Sequence, residues 1–211
     1  MTDSHQMPSL AEETAFRAQG YRFIAGIDEA GRGALAGPLV AAAVILPDGV
    51  DAPWLNQVRD SKQLSPLRRE FLFPEISKIA VSVGIGVANH RVIDAQGIVK
   101  ATQLAMKLAT SQLSPMPDCL LIDYMHLPDV SLPQKGITNG DQLCLSIACA
   151  SIMAKVTRDH LMIKLDRVYP GYGLAAHKGY GTKQHVSCLY RLGPCSIHRQ
   201  SFRPVKDITE K

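Results

Sequence analysis

Short apolar runs, several of them β-prone, are spaced along the chain with polar and glycine-containing segments between them. The apolar run at residues 22–28 predicts a buried strand, and residues 39–46 form a second such run after a glycine-containing break. The pair therefore predicts a hairpin with a broad turn. Further strands are predicted at residues 80–87 and 119–123, with a short one near Lys135.

Helical periodicity occupies most of the intervals between these strands. The spacing Ser9-Leu-Ala-Glu12 matches a capping box and predicts a short helix that ends near Gly20. Asp141 is expected to open a long apolar helix. The remaining helices are predicted at residues 67–79, 91–113 with an interruption at Gly97, 143–168, and 182–192.

Strands come first and then alternate with helices, which is typical of an α/β domain with a mixed sheet. The 211 residues are 46% hydrophobic and 20% charged, as in a globular chain with one main domain. The first ten residues lack the basic start and apolar run of an export signal, and no apolar stretch is long enough to cross a membrane. We therefore expect a soluble, cytoplasmic protein.

The cysteine content and the distribution of charge limit the kinds of site that we expect in this chain. The five cysteines are odd in number and include no CxxC pair, which argues against a disulfide framework or a zinc site. Cys144 and Cys149 are expected to pack as small apolar residues. Residues 155–211 carry 11 lysines and arginines against 4 acidic residues, which fits contact with a polyanion and equally an ordinary solvated surface.

Four acidic residues lie where predicted elements end or begin. Asp28 and Glu29 close one apolar strand, Asp123 closes another, and Asp141 precedes the long helix. Ligand sites in α/β sheets form beyond strand ends, and clustered carboxylates are the ligands that Mg²⁺ and Mn²⁺ prefer. Alternatively, Asp141 is only a helix N-cap and Asp123 only a turn residue.

The segment GIDEAGRG at residues 26–33 resembles the signature of the type II ribonucleases H. The resemblance continues, in order, through nearly the whole chain. The other matching blocks are AGPLVAAAVIL at 36–46, DSK at 60–62, LID at 121–123, SIACASIMAKVTRD at 146–159, YG at 172–173, HKGY at 177–180, and HR, SF and PV between 198 and 205.

This resemblance implies a ribonuclease H-like α/β fold with a central mixed β-sheet flanked by helices and a C-terminal helical extension. It divides the chain into a catalytic domain, residues 1–168, and a substrate-binding extension, residues 169–211, packed on the same domain. It also implies a monomer that hydrolyses the phosphodiester 5′ of a ribonucleotide. The substrates would be RNA/DNA hybrids and ribonucleotide-containing duplex DNA, and the products a 3′-hydroxyl and a 5′-phosphate.

The resemblance also assigns site residues. Asp28, Glu29, Asp123 and Asp141 match the family's metal-binding catalytic acids. In this hypothesis they hold two Mg²⁺ or Mn²⁺ ions about 4 Å apart, of which one activates the attacking water and the other stabilises the leaving 3′-oxygen.

Substrate contacts follow from the same resemblance. Gly31, Arg32 and Gly33 match a backbone motif that contacts the ribose at an RNA–DNA junction, and a 2′-hydroxyl both donates and accepts hydrogen bonds. Tyr180 resembles the tyrosine that packs on the nucleotide, although a tyrosine in a glycine-rich loop is also a common packing residue. Lys62 resembles a phosphate-contacting lysine.

The chain departs from the family pattern at four positions that put some phosphate contacts in doubt. Tyr124 stands where the family usually has Gly. Asn139 stands where Lys is frequent, Gln142 where Ser is frequent, and Gly97 where Asn is usual.

Several other interpretations compete with this one. A hybrid-binding module without catalysis would not need all four acids. A type III ribonuclease H would carry an N-terminal domain and Glu at position 141. A glycosidase needs carboxylates separated across a sugar cleft, whereas Asp28 and Glu29 are adjacent. A dinucleotide-binding loop is also disfavoured, because the spacing of Gly31, Gly33 and Gly37 does not match its motif. His177, His185 and His198 are expected to form local hydrogen bonds, with phosphate contact as the alternative.

Overall fold

The computed structural model describes residues 7–210. The first six residues and the last lie outside the described part, so most of the N-terminal segment considered for an export signal is not covered. Between residues 7 and 210, none of the helices combines the length and the apolarity that crossing a bilayer requires.

A five-stranded mixed sheet forms the centre of the molecule. Its strand order is β3-β2-β1-β4-β5; the first three strands pair antiparallel, and β1, β4 and β5 run parallel. This confirms the predicted hairpin and the short strand near Lys135. The strands are β1 (Ile24–Ala30), β2 (Leu39–Ile45), β3 (Ser82–Ala88), β4 (Cys119–Asp123) and β5 (Gln134–Ile137).

Helices cover both faces of the sheet and form the C-terminal part of the chain. Within the predicted helix at residues 91–113, Gly97 has a non-helical backbone with φ +80°, as the expected interruption requires. The helices are α1 (Ala11–Arg17), α2 (Pro66–Ile79), α3 (His90–Ser111), α4 (Gly140–Leu143), α5 (Leu145–Val168), α6 (Leu174–His177), α7 (Lys183–Leu192) and α8 (Val205–Thr209).

The two central strands are buried on both faces, which explains their nearly continuous apolar sequence. On one face, residues such as Ile27 join an apolar cluster with Met106 of α3. On the other face, Ala42 and its neighbours pack against Ile152 of α5 and Leu72 of α2. The sheet therefore lies between two helical layers, and its strand ends are held in a fixed position.

The chain after α5 packs against the C-terminal half of that helix. A separate apolar cluster joins Met162 of α5 to Leu174, Leu189 and Val205 of the three short helices that follow. This is the C-terminal helical extension that the family resemblance implies.

Two predicted helix starts are wrong. The first helix has Leu10, not Ser9, at its N-cap position, and the reciprocal bonds of a capping box are absent: Ser9 Oγ accepts only the Ala11 N–H, at 3.4 Å. Ser9 instead pairs through its backbone with Leu143 and Leu145. Asp141 does not open the long helix, because it lies inside the separate four-residue helix α4, and α5 begins four residues later. In both places, tertiary contacts outweigh the local sequence signal.

Candidate metal centre and nucleic-acid interface

Three carboxylates from separate stretches of the chain meet at one edge of the sheet. Asp28 lies near the end of β1, Asp123 is the last residue of β4, and Asp141 lies in α4. Because β1 and β4 are parallel neighbours, their carboxyl ends reach the same edge. Each residue offers an oxygen within 4.8 Å of the oxygens of the other two.

Hydrogen bonds hold two of these carboxylates in place. The backbone N–H of Gly140 donates to Asp123 Oδ1 at 2.7 Å, which ties the end of β4 to the start of α4. The backbone N–H of Glu29 donates to Asp28 Oδ1 at 2.6 Å. Both side chains are therefore oriented before any ligand binds.

Burial raises the pKa of each member of the cluster, and neighbouring carboxylates add to the effect. Burial, followed by the charges of Glu29 and Asp123, raises the pKa of Asp28 well above its ordinary value. Burial also raises the pKa of Asp123, even though Gly140 donates a hydrogen bond to it. Burial and the nearby carboxylates raise the pKa of Asp141 to about 6. The deprotonated cluster therefore lacks sufficient positive charge nearby.

Glu29 lies beside this group without joining its closest set. Its Oε1 is 3.5 Å from Arg32 Nη1, and its Oε2 is a buried oxygen with no hydrogen-bond partner among the described residues. Burial raises the pKa of Glu29, and Arg32 partly offsets that effect. The structure thus brings three of the four expected acids together and leaves the fourth at the margin with a free acceptor.

The donor set fits a hard divalent cation. Mg²⁺ and Mn²⁺ bind carboxylate oxygens and relieve the repulsion between clustered carboxylates. Asp28, Asp123 and Asp141 supply such oxygens, and the unpartnered Oε2 of Glu29 is a fourth. No histidine or cysteine belongs to this group, which disfavours zinc.

Asp60 is a neighbouring acid to which the sequence reasoning gave no role. It is buried, it accepts the backbone N–H of Lys62 at 2.9 Å, and its carboxylate is one of the groups that raise the pKa of Asp141. Its only sequence signal was its place in the matching DSK block. Asp60 therefore connects the Lys62 turn to the acid cluster.

Lys62 extends from that turn over the acid cluster. Its Nζ lies 3.6 Å from Asp141 Oδ2 and 4.0 Å from Asp60 Oδ1, and its side chain is 80% exposed. Burial lowers its pKa, but the surrounding carboxylates outweigh that effect and leave the pKa raised. The ammonium group is therefore charged, accessible and next to the acid cluster.

A glycine turn and a tyrosine loop pack together beside the acids. We call residues 31–33 the glycine turn and residues 177–182 the tyrosine loop. Ala34 pairs with Tyr180 in an isolated antiparallel bridge, and Gly179 accepts the backbone N–H of Leu35 at 2.8 Å. Tyr180 itself is partly exposed. These contacts bring Arg32, Gly33 and Tyr180 to one surface, whereas Gly31 is buried.

Two buried arginines, which the sequence reasoning missed, hold these loops. Arg158 of α5 donates to the carbonyls of Pro38 and Lys178, each at 2.9 Å, and its guanidinium lies 5.2 Å from the centre of the Tyr180 ring. Arg199 donates to the carbonyl of Arg32 at 2.8 Å. A lone arginine in the sequence gives no local signal that it bonds backbone carbonyls far along the chain.

The three tail histidines form local hydrogen bonds, as expected. His185 and His198 are completely buried and their Nε2 atoms lie 3.0 Å apart, while His177 Nε2 contacts the carbonyl of Tyr172. All five cysteines are free thiols, and Cys144 and Cys149 are buried as predicted.

Comparison with known proteins places this geometry in a family. A family model described as Ribonuclease HII matches residues 25–205. A ribonuclease HII of Dehalococcoides mccartyi strain BAV1 is 56% identical over 203 residues, which is 96% of each chain. Ribonuclease H2 from Pyrococcus horikoshii OT3 matches with a TM-score of 0.73 at 25% identity, over 89% of this chain and 97% of that chain.

A more distant likeness supports the fold alone. The structure of Bst-RNase HIII in complex with Mn²⁺ matches with a TM-score of 0.62 at 19% identity, over 90% of this chain and 70% of that chain. The family match covers most of the sequence, and it contains the acid cluster, the glycine turn and the tyrosine loop. The chain therefore belongs to the ribonuclease HII family and is a ribonuclease H, an endonuclease that hydrolyses RNA in RNA/DNA hybrids.

Proposed function

We propose that this chain hydrolyses the phosphodiester 5′ of a ribonucleotide, both in RNA/DNA hybrids and at single ribonucleotides embedded in duplex DNA. The products are a 3′-hydroxyl and a 5′-phosphate. One observation carries this proposal: three carboxylates with raised pKa values meet directly beside a glycine turn that is packed against a tyrosine loop.

The acids are proposed as the ligands of two divalent ions. Asp28, Glu29, Asp123 and Asp141 would hold Mg²⁺ or Mn²⁺, and bound ions supply Lewis-acid activation of water and neutralisation of phosphate charge. The protein contributes the orientation of the carboxylates through the backbone hydrogen bonds to Asp28 and Asp123. Because these side chains are fixed in advance, little reorganisation is needed during the reaction.

The glycine turn and Tyr180 are proposed to select the ribose. Gly33 is exposed and its Cβ position is open, so its backbone is free to approach a sugar. Backbone N–H and C=O groups can bond a 2′-hydroxyl, which both donates and accepts. The Tyr180 ring offers an apolar face beside this turn, and Arg32 adds positive charge.

Positive charge around the site is proposed to bind the nucleic-acid backbone. Lys62 is exposed beside the acids, and residues 169–211 form the basic extension that we assign to substrate binding. Lysine and arginine contacts to phosphate supply affinity that is independent of sequence and falls with salt. We therefore assign residues 1–168 to catalysis and the extension to binding of the duplex.

The direct test uses a labelled DNA duplex that contains one ribonucleotide. We expect wild-type protein with Mg²⁺ or Mn²⁺ to cut once, on the 5′ side of that ribonucleotide, and EDTA to abolish the cut. Asp28→Asn and Asp123→Asn should each lower the rate at least about 100-fold, because each removes a charged oxygen ligand. Asp129→Asn is the matched control, since that acid is exposed and pairs only with Lys107 in the described structure.

Full activity of either Asp28→Asn or Asp123→Asn would reject the metal assignment. A cut on the 3′ side of the ribonucleotide, or equal cutting of an all-DNA duplex, would reject the proposed specificity even if the metal assignment held.

A further inference from the structure

Two fully buried histidines lie beneath the tyrosine loop. His185 belongs to α7 and His198 to the segment that follows it, and neither exposes any surface. A buried imidazole without hydrogen-bond partners is costly, so the partners of these rings carry information about their role. Burial in an apolar cluster alone would be served better by leucine or phenylalanine.

The bonds at the two ends of the pair have only one possible direction. The backbone N–H of Cys195 lies 2.9 Å from His198 Nδ1 and can only donate. The carbonyl of Tyr180 lies 3.0 Å from His185 Nδ1 and can only accept. The carbonyl of Cys195 also lies 3.2 Å from His198 Nδ1, but a proton on that nitrogen would face the Cys195 N–H, which is closer and cannot accept it.

These fixed ends determine the tautomer of each ring. His198 must accept at Nδ1 and therefore carries its proton on Nε2. His185 must donate from Nδ1 and therefore accepts at Nε2. The two Nε2 atoms are 3.0 Å apart, so His198 donates to His185. The result is one directed chain of hydrogen bonds, from the Cys195 N–H through both imidazoles to the Tyr180 carbonyl.

The third histidine supports the same loop. His177 stacks on His185 with ring centres 4.4 Å apart, and its Nδ1 accepts the backbone N–H of Gly179 at 3.2 Å. The opposite side of the loop is held by Arg158, which donates to the Lys178 carbonyl, and by the bridge to Ala34. The tyrosine loop is thus fixed between the histidines and the glycine turn.

This chain of hydrogen bonds is complete only when both imidazoles are neutral. A second proton on His185, at Nε2, would face the Nε2–H of His198. A second proton on His198, at Nδ1, would face the Cys195 N–H. The groups that face the pair include Tyr172, His177 and Cys195, with His90 further away. Burial and then His185 lower the pKa of His198 to about 4, and burial lowers the pKa of His185, so both rings are neutral at neutral pH.

We propose that His185 and His198 are positioning residues that fix the backbone of Tyr180 against the glycine turn and thereby set the discrimination for ribose. This inference rests on the proposed function, in which Tyr180 and the glycine turn contact the ribonucleotide. The two histidines are fully buried and form no hydrogen bond to the acids, so in this proposal they act through the peptide carbonyl of Tyr180.

Histidine tautomers give a test that is independent of activity. In ¹⁵N-histidine-labelled wild-type protein at neutral pH, two-bond ¹H–¹⁵N spectra should show His198 protonated at Nε2 and His185 protonated at Nδ1. Both rings should keep these protonation states when the pH is lowered to 6. A His185 ring protonated at Nε2, or ordinary titration of either ring near pH 6.5, would overturn the proposed chain.

Substitutions test whether this chain of hydrogen bonds sets the preference for ribose. His185→Leu removes the side-chain donor to the Tyr180 carbonyl and leaves the Thr182 N–H as its remaining donor, so KM for a duplex with one ribonucleotide should rise about tenfold while kcat changes less. His185→Asn is the conservative variant, because its amide N–H lies near the former Nδ1 and still reaches that carbonyl. It should recover most of the lost affinity. His160→Leu, on the exposed face of α5, serves as the control and should match wild type.

Failure of the inference and failure of the proposed function give different results. If wild-type protein does not cut at the ribonucleotide, or if Tyr180→Ala cuts as well as wild type, the proposed function fails. If Tyr180→Ala is impaired while folded His185→Leu retains the wild-type KM, the positioning role alone is wrong. Thermal unfolding of each variant shows which ones are folded. The tautomer test uses wild-type protein, so its result stands even if His185→Leu does not fold.

Discussion

At the scale of single residues, the two glycines of the glycine turn serve different purposes. Gly31 has φ +96°, and a Cβ added there would lie 2.0 Å from Arg158 Nε. Gly33 has no such φ, and its Cβ position meets no atom within 4 Å. The fold therefore requires glycine at Gly31, whereas nothing in the fold requires it at Gly33, where close approach of a ligand is the remaining reason.

Alanine substitutions separate these two roles. Gly31→Ala should lower the free energy of unfolding by about 3 kcal/mol, because it combines backbone strain with overlap against a buried arginine. Gly33→Ala should leave that free energy within about 0.5 kcal/mol of wild type and yet weaken cleavage at a single ribonucleotide. Urea unfolding and cleavage kinetics measure the two effects. Similar destabilisation by both variants would contradict this distinction.

Tyr124 shows what one departure from the family pattern costs. It follows Asp123, where the family resemblance leads us to expect Gly, and its φ is +56° with the side chain 71% exposed. Left-handed backbone is unfavourable for a residue with a Cβ, so Tyr124→Gly should raise the free energy of unfolding by about 1 kcal/mol. Asn139, with φ +55°, is the control, since asparagine tolerates this region and Asn139→Gly should change little. A loss of stability in Tyr124→Gly would refute this account.

At the scale of elements, the start of α5 is stabilised by a residue from another helix. Glu13 of α1 is buried, and its Oε1 accepts the Ser146 N–H at 2.8 Å and the Cys144 thiol at 3.1 Å. A carboxylate at a helix N-terminus also interacts favourably with the helix dipole. The first helix therefore fixes the start of α5, which carries Arg158.

Removal of Glu13 should weaken this junction measurably. Glu13→Ala leaves the Ser146 N–H without its partner and should lower the free energy of unfolding by about 2 kcal/mol. Its neighbour Glu12 pairs with Lys135 at the surface, so Glu12→Ala should cost less than about 0.5 kcal/mol. Chemical denaturation of both variants makes the comparison, and equal losses would show that the hydrogen bonds of Glu13 contribute no more to stability than a surface ion pair.

Strands β1, β2 and β4 were predictable from sequence because burial on both faces leaves continuous apolar runs. Asp28 and Asp123 could be placed together because they lie near or at the carboxyl ends of their strands. The helix starts at Ser9 and Asp141 were wrong because Ser9 pairs with the α4–α5 segment and Asp141 lies in its own short helix. The two buried arginines were missed because their partners lie far along the chain, and Asp60 was missed because its acidic neighbour Asp141 does.

At the scale of the whole molecule, the acid cluster links stability to pH and to metal. The pKa of Asp141 is raised to about 6, against about 3.9 in an unfolded chain. The folded state therefore binds more protons in this range, so without metal its stability is higher below about pH 4 and falls as the pH rises through 6. Asp28, Asp123 and Glu29 shift in the same direction.

Divalent ions should reverse this trend. Because they bind the deprotonated carboxylates, the rise in Tm caused by saturating Mg²⁺ should be larger at pH 8 than at pH 5. Thermal unfolding with and without Mg²⁺ at both values tests this. An increment in Tm that is equal at the two values, or larger at pH 5, would mean that Mg²⁺ binds elsewhere.

The central claim is that separate stretches of the chain bring carboxylates together to hold divalent ions, and Mn²⁺ binding followed by electron paramagnetic resonance measures this directly. We predict that wild-type protein binds Mn²⁺, that Asp28→Asn and Asp123→Asn each weaken binding at least about tenfold, and that Asp129→Asn has no effect. Wild-type affinity for Mn²⁺ in both Asp28→Asn and Asp123→Asn would contradict the account.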